Sequence, residues 1–162
     1  MILAFLALLT ACGGGTQQLV LDGRPRMPDA EGVVEKISAT RITLDGGRSY
    51  GVRGDLQSFS TYDLAPVPML HRLGQYVQLG LDGDNVAWMA GVGLVVRASP
   101  APPVVFYNGR LVRIDSGRRA IFRDGTVLLL APGVRSTVDE GLVRAEIDPS
   151  RHRVSSLVGL SS

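Results

Sequence analysis

The chain has 162 residues, 45% of them hydrophobic and 20% charged, which is enough apolar content for a core and excludes disorder as the default state. Its single cysteine, Cys12, excludes an internal disulfide framework, so the folded part must be held by packing. The formal net charge is only +2, but Lys36 is the sole lysine and most arginines fall after residue 97.

The N-terminus opens with an unbroken apolar run, Ile2 to Leu9, followed by Thr10-Ala11-Cys12 and then Gly13-Gly14-Gly15. The run is too short to cross a bilayer as a helix, which takes about 20 residues. It has the length of the apolar core of a secretory signal. Leu9, Thr10, Ala11 and Cys12 resemble the lipobox of bacterial lipoproteins, in which a leucine and two small residues precede the cysteine. The resemblance implies cleavage before Cys12, diacylation of its sulfur (a palmitate-type modification) and attachment to a membrane on the extracytoplasmic side of the cell envelope. Several acyl chains make a stable anchor, whereas one gives only marginal binding. That address disfavours nucleic acid as a partner. The other reading of the same residues is a buried apolar segment with a structural free thiol. Residues 1–11 are thus expected to be a signal peptide, and 12–30 the lipidated cysteine and a polar, Gly- and Pro-containing tether.

From Glu31 the pattern changes to short strands and turns. Strands are expected at Gly32–Ser38, Arg41–Leu44 and Ser49–Arg53, with Asp45-Gly46-Gly47 as a hairpin turn, because glycine tolerates the positive φ of tight turns. Tyr76–Leu81 reads as a fourth strand, and Asp82-Gly83-Asp84-Asn85 turns it into Val86–Met89. Gly91 and Gly93 thin the end of that strand. The order then repeats. Gly109–Ile114 echoes Gly32–Ile37, Arg119–Phe122 echoes the second strand, and Val127–Leu130 the third. Leu142–Ile147 echoes Tyr76–Leu81 and turns through Asp148-Pro149-Ser150 into Arg153-Val154. Val143, Ala145 and Ile147 alternate with Arg144 and Glu146, the period of a half-buried strand.

About five short strands per half resemble an OB-like barrel. The expected fold is all-β, with two small OB-like β-barrel units in tandem. The first spans residues 31–97 and the second 104–162, joined by a semi-rigid Pro-rich linker at 98–103. A single larger β-sandwich using every strand is the alternative.

Chemistry is sparse. His71 and His152 fall in different halves with no nucleophile at a recognisable spacing, so the expectation is a non-enzymatic protein with no cofactor and no metal. Asp45, Asp82, Asp84 and Asp124 sit beside turn glycines, where aspartate caps the turn. Gly13-Gly14-Gly15 follows no strand and is not a phosphate loop. Trp88 reads as core before ligand platform. The connection from Gly54 to Leu73 is about twice as long as its counterpart, Ala131 to Glu140, and long loops in compact domains are often functional. Its residues Phe59, Tyr62, Leu64, Met69 and His71 are candidates for contact with a protein partner in the envelope. Equally, the segment folds back, with a short helix near Met69 to Leu73, and plugs the barrel end. The arginine-rich half, from Arg110 to Arg153, suits either an anionic membrane surface or solvated strand faces. The functional expectation is a membrane-anchored lipoprotein acting as a protein-binding or scaffold module. The alternative is a small-ligand or glycan-binding module that uses a barrel face and Trp88.

Overall fold

A computed structural model describes residues 27–61 and 65–160. Cys12 and the apolar run before it lie outside the described residues, as do Tyr62 and Leu64. The described chain is all-β, with ten strands, two short 3-10 turns and no α-helix among the described residues. The strands are β1 (Ala30–Ile37), β2 (Arg41–Leu44), β3 (Ser49–Ser60), β4 (Gln75–Asp82) and β5 (Asn85–Val96), then β6 (Val104–Asp115), β7 (Arg119–Phe122), β8 (Val127–Leu129), β9 (Gly141–Asp148) and β10 (Arg153–Gly159).

The first five strands close on themselves. β1 pairs antiparallel with β2 and β4, β2 with β3, and β4 with β5. A parallel ladder between β3 and β5 completes a five-stranded barrel. Closing so few strands demands sharp bending, and register shifts in β1, β3, β4 and β5 supply it, because a bulge bends its strand and raises the local twist. The interior is Val34, Ile42, Leu44, Val77, Leu79, Val86 and Met89, each at most 1% exposed. Burying each such side chain is worth about 1.5–3 kcal/mol. At the Asp45-Gly46-Gly47 turn, Gly46 and Gly47 take φ of 76° and 78°, as the sequence requires of them.

β6 is the hub of the remaining strands and pairs with β5, β7 and β9. β7 pairs with β8, and β9 with β10. The end of β8 meets β10 through a parallel bridge, Leu130 to Val154, and the Ala131 N–H donates to the Val154 carbonyl at 2.9 Å. Val105, Leu111, Phe122, Leu128, Val143, Ile147 and Leu157 fill this second core, joined by Tyr76 of β4 and Val92 of β5.

Several elements outrun their sequence signals. β3 continues seven residues past Arg53, because Gln57 to Ser60 pair in register with Trp88 to Gly91. β5 is interrupted by a register shift between Gly91 and Gly93, where the sequence puts its thin point, but runs on to Val96, which pairs with Val104. The Pro-rich residues 98–103 therefore close a β5–β6 hairpin. The polar N-terminal segment also ends earlier than residue 30. The Asp29 N–H already donates to the Leu79 carbonyl, and its carboxylate accepts from the Leu81 N–H.

Candidate functional site

The long connection after β3 is folded back onto the barrel. The Ser60 N–H donates to the Ala65 carbonyl and the Val67 N–H to the Ser58 carbonyl, both at 2.9 Å. A 3-10 turn at Met69–Arg72 follows, and Met69 packs against the barrel's interior cluster. Arg72 pins this arrangement from inside. It is 5% exposed, and its guanidinium donates to the Phe59 carbonyl at 2.6 Å, Gln75 Oε1 at 2.9 Å and Ser58 Oγ at 3.4 Å. These acceptors are all neutral, and burial lowers the Arg72 pKa.

The contact residues singled out in sequence have different fates. Phe59 and Trp88 face each other under cover, with ring centroids 6.1 Å apart and planes tilted by 32°. The indole lies flat over Gly80 of β4, where any side chain would collide with it. Neither ring is a surface platform, because Phe59 is only 6% and Trp88 only 4% exposed. Met69 is half-buried and His71 exposed. The exposed apolar atoms of this region belong instead to Leu70 and Leu73.

A polar cluster joins the two groups of strands. Gln78 of β4 is fully buried, and its amide donates to Glu31 Oε2 at 2.9 Å and to the Val127 carbonyl of β8 at 2.8 Å. Among the described residues its Oε1 has no hydrogen-bond partner, and the enclosed Tyr76 hydroxyl makes no well-formed hydrogen bond. Burial, and then the nearby Glu31 carboxylate, push the Tyr76 phenol far above its ordinary range. The Tyr76 ring meets His152 edge-on at 5.9 Å, and His152 Nε2 stands 3.6 Å from Asp45 Oδ2. That separation is an ion-pair distance, longer than a hydrogen bond. Asp45 is held in turn by the Val33 N–H at 3.0 Å. Sequence reading missed this cluster. Its one visible signal was Gln78, a polar residue within Tyr76–Leu81.

Further exposed apolar residues lie elsewhere, on the outward side of β5, β6, β9 and β10. Leu94, Val96, Phe106, Leu142 and Val158 are all exposed there, Leu94 by 67%. Register places Phe106 opposite Glu146, Asn108 opposite Arg144, and Arg110 opposite Leu142, while Val158 lies across from Arg144 on the other side of β9. The Arg144 guanidinium lies 5.8 Å from the Phe106 ring centroid and donates to Asn108 Oδ1 at 3.1 Å. These residues form two groups, Leu94, Val96 and Phe106 on β5 and β6 and Leu142 with Val158 on β9 and β10, separated by Glu146, Asn108 and Arg144. Exposed apolar groups gathered on one face and rimmed by polar residues are what an interaction surface carries.

Beside it is an open groove of about 1000 Å³, lined by Val112, Ile114, Val134 and Val138 with Arg113 and Arg135 among its polar walls. Among the described residues, no group of three or more His, Cys, Asp or Glu side chains is gathered closely enough to hold a metal ion. No protein-family model, curated protein or solved structure matches this chain.

Proposed function

We propose that this protein is a non-catalytic binding module of the bacterial cell envelope, lipid-anchored through Cys12 and built from two tandem OB-like barrels. The tandem reading is supported by pairing order. Strands one to five pair as 1-2-3-5-4-1 with a parallel 3–5 contact, and β6 to β10 repeat that order through the Leu130–Val154 bridge. The anchor rests on the match of Leu9 to Cys12 to a lipobox. The binding role is carried by one observation, the exposed apolar face of β5, β6, β9 and β10. A photo-crosslinker at Phe106 in envelope-bound protein should yield discrete protein adducts that disappear on Leu94→Asp. Unchanged adducts in that variant, or none with wild type, would overturn the role. Mass spectrometry should find Cys12 acylated, and Cys12→Ser should leave the membrane fraction.

A second reading, small-ligand or glycan binding, is favoured by the groove beside Arg113 and Arg135. Its size is within the range of ligand pockets, and Arg113, Arg135, Ser136, Asp139 and Glu140 line it with the polar groups that a hydroxyl-rich ligand would need. A panel of envelope oligosaccharides titrated against wild type and Arg135→Ala tests it. Equal weak responses from both proteins would dismiss it.

A further inference from the structure

We propose that the outward face of the β6–β7 hairpin docks on an anionic lipid bilayer, the membrane that holds the anchor. The inference goes beyond the apolar face and the groove, and it rests on the reading of the chain as lipid-anchored.

Register fixes what this face carries. Leu111 pairs with Phe122 and Ile114 with Ala120, and these side chains build or border the second core. The residues beside them therefore point outward. They are Arg113 opposite Ile121, Asp115 opposite Arg119, and Arg110 across from Arg123, whose N–H donates to the Arg110 carbonyl at 2.9 Å. Val112 sits in the bulge of β6 and is 45% exposed. Arg118 in the turn adds a fifth guanidinium. All five arginines are exposed, and none forms an ion pair with another described residue. Asp115 is the one carboxylate of the outward set, since Asp124 is taken up by the Tyr107 hydroxyl and the Thr126 N–H.

The first five strands show that the fold does not ask for these charges. β1 and β2 pair with the same spacing and the same bulge, Val34 with Leu44, Lys36 with Thr43 and Ile37 with Ile42. Lys36 and Arg41 stand there where Arg113 and Arg119 stand in the second hairpin. Glu35 and Asp45 take the places of Val112 and Arg123, so that set is neutral. Like charges facing each other across a sheet are destabilising, so setting Arg110 beside Arg123 costs the isolated fold. A local cost of this kind is expected where function requires it.

Three features select a bilayer as the occupant. The guanidinium groups stand on an open sheet face and do not converge in a pocket, which suits spread charge over a shaped anion. Val112 and Ile121 lie among them, and interfacial binding grows with buried apolar area as well as with attraction to anionic lipid. Cys12 and Asp29 are 17 residues apart, so the folded body begins no more than about 60 Å from the anchored lipid. That confinement raises the effective concentration of bilayer at the hairpin without any new contact. Without the lipid the hairpin binds reversibly, so Cys12→Ser still leaves a washed membrane fraction.

Flotation of the full-length Cys12→Ser chain with lipid vesicles tests the proposal, because it removes the anchor and keeps the hairpin. The vesicles are phosphatidylcholine alone, or phosphatidylcholine and phosphatidylglycerol in equal parts. The apolar N-terminal run is common to every variant and both vesicle types, so the hairpin is read from differences. At about 0.1 M salt, with a screening length of about 10 Å, partition onto the anionic vesicles should exceed that onto the neutral ones by about tenfold or more. At about 1 M, with a screening length of about 3 Å, the excess should vanish. Arg113→Gln with Arg119→Gln should lower anionic partition by about 25-fold, at about fivefold for each basic residue near such a surface. Lys36→Gln with Arg41→Gln makes the same change of charge at the matching positions of β1 and β2, and should lower it by less than about threefold. Native-like circular dichroism guards against misfolding, and Arg123→Gln alone, expected to cost about fivefold, gives a second reading. Equal partition onto both vesicle types overturns the proposal. So does an equal loss from the two double variants, because net charge would then decide and not the hairpin. Soluble polyphosphate that binds more tightly than the vesicles at equal charge, and strips the chain from them, would replace lipid as the occupant. Acylated Cys12 without vesicle preference leaves the anchor standing and sinks the docking surface. Vesicle preference with unacylated Cys12 does the reverse.

Discussion

The β4–β5 hairpin and the β9–β10 hairpin hold the same place in the pairing order, and their outer faces are treated in opposite ways. On β4 and β5 the outward residues are Tyr76, Gln78, Gly80, Trp88, Ala90 and Val92, and every one is buried. Tyr76, Gln78 and Val92 pack against β6 to β10, and Trp88 and Ala90 cluster with Phe59 of β3. On β9 and β10 the outward residues Leu142, Arg144 and Val158 stay exposed. The residue types match these fates. The covered face sets the small residues Gly80 and Ala90 beside two large rings, Tyr76 and Trp88, with Gly80 making room for Trp88. The bare face mixes Leu, Val and Phe with Arg and Glu, the composition of a surface that is wet in one state and covered in another.

The comparison breaks most readily at Trp88. Trp88→Ala should cost about 3–5 kcal/mol in chemical denaturation, the range for removing a buried aromatic side chain. A loss under about 1 kcal/mol would mean that the covered face behaves like the bare one. The next largest effect is expected at Gln78. Gln78→Ala removes both donors that tie Glu31 and the Val127 carbonyl to β4 and leaves the buried carbonyl unpaired, at a cost of about 1–3 kcal/mol. Amide exchange should report it locally, with protection falling in β8 before it falls in β2. Uniform loss across both strands would show that Gln78 is not the junction.

Much of this contrast was invisible in sequence for a physical reason. Arg41–Leu44 and Arg119–Phe122 were legible to the residue, because a run of four residues rich in β-branched or apolar side chains between turn signals leaves little freedom. The second half of β3, Gly54 to Ser60, was not. It is polar on average, and its partner is the parallel strand β5, which no local pattern encodes. Alternation also failed along β5, where Val86, Trp88, Met89 and Ala90 are all buried. A strand covered on both sides carries no period-two signal, so the sequence of β4–β5 could not say what covered its outer wall. The candidate site suffered in the same way. Phe59 was read as loop because β3 was read too short, and its burial follows from its pairing with Ala90. Turn chemistry was dependable in part. Asp124 does cap its turn, accepting from the Thr126 N–H at 2.8 Å, whereas the Asp45 carboxylate accepts from the distant Val33 N–H and Asp82 pairs with Arg53.

A smaller effect separates the covered face by pH. The Tyr76 phenol ionises far above its ordinary range in the folded state, chiefly because it is buried. A group whose folded pKa is raised contributes stability that is complete below its unfolded pKa of about 10 and is lost as pH rises beyond it. Tyr76→Phe should therefore change stability by no more than about 1 kcal/mol at pH 7, since the hydroxyl it removes forms no well-made hydrogen bond. Between pH 10 and pH 11 the wild type should lose stability faster than the variant, by up to about 1.4 kcal/mol per pH unit. Parallel curves for the two proteins would place the hydroxyl in water.

The smallest effect is expected on the bare face, and it is the most telling. Phe106→Ser exchanges an exposed ring for a polar side chain, so the stability of the isolated chain should shift by no more than about 0.5 kcal/mol. The Arg144 guanidinium loses a stacking surface, but an exposed cation–π contact is worth only about 0.5–1 kcal/mol, and the Asn108 hydrogen bond remains to hold it. Denaturation should be measured on the isolated chain, and then again with the protein that Phe106 crosslinks to. If the face is a binding surface, wild type should gain stability from that partner while Phe106→Ser does not, because a partner that binds only the folded state raises apparent stability by mass action. If both proteins behave alike with the partner, and the loss in the isolated chain exceeds about 2 kcal/mol, Phe106 belongs to the core and the two outer walls are not the contrasting pair described above.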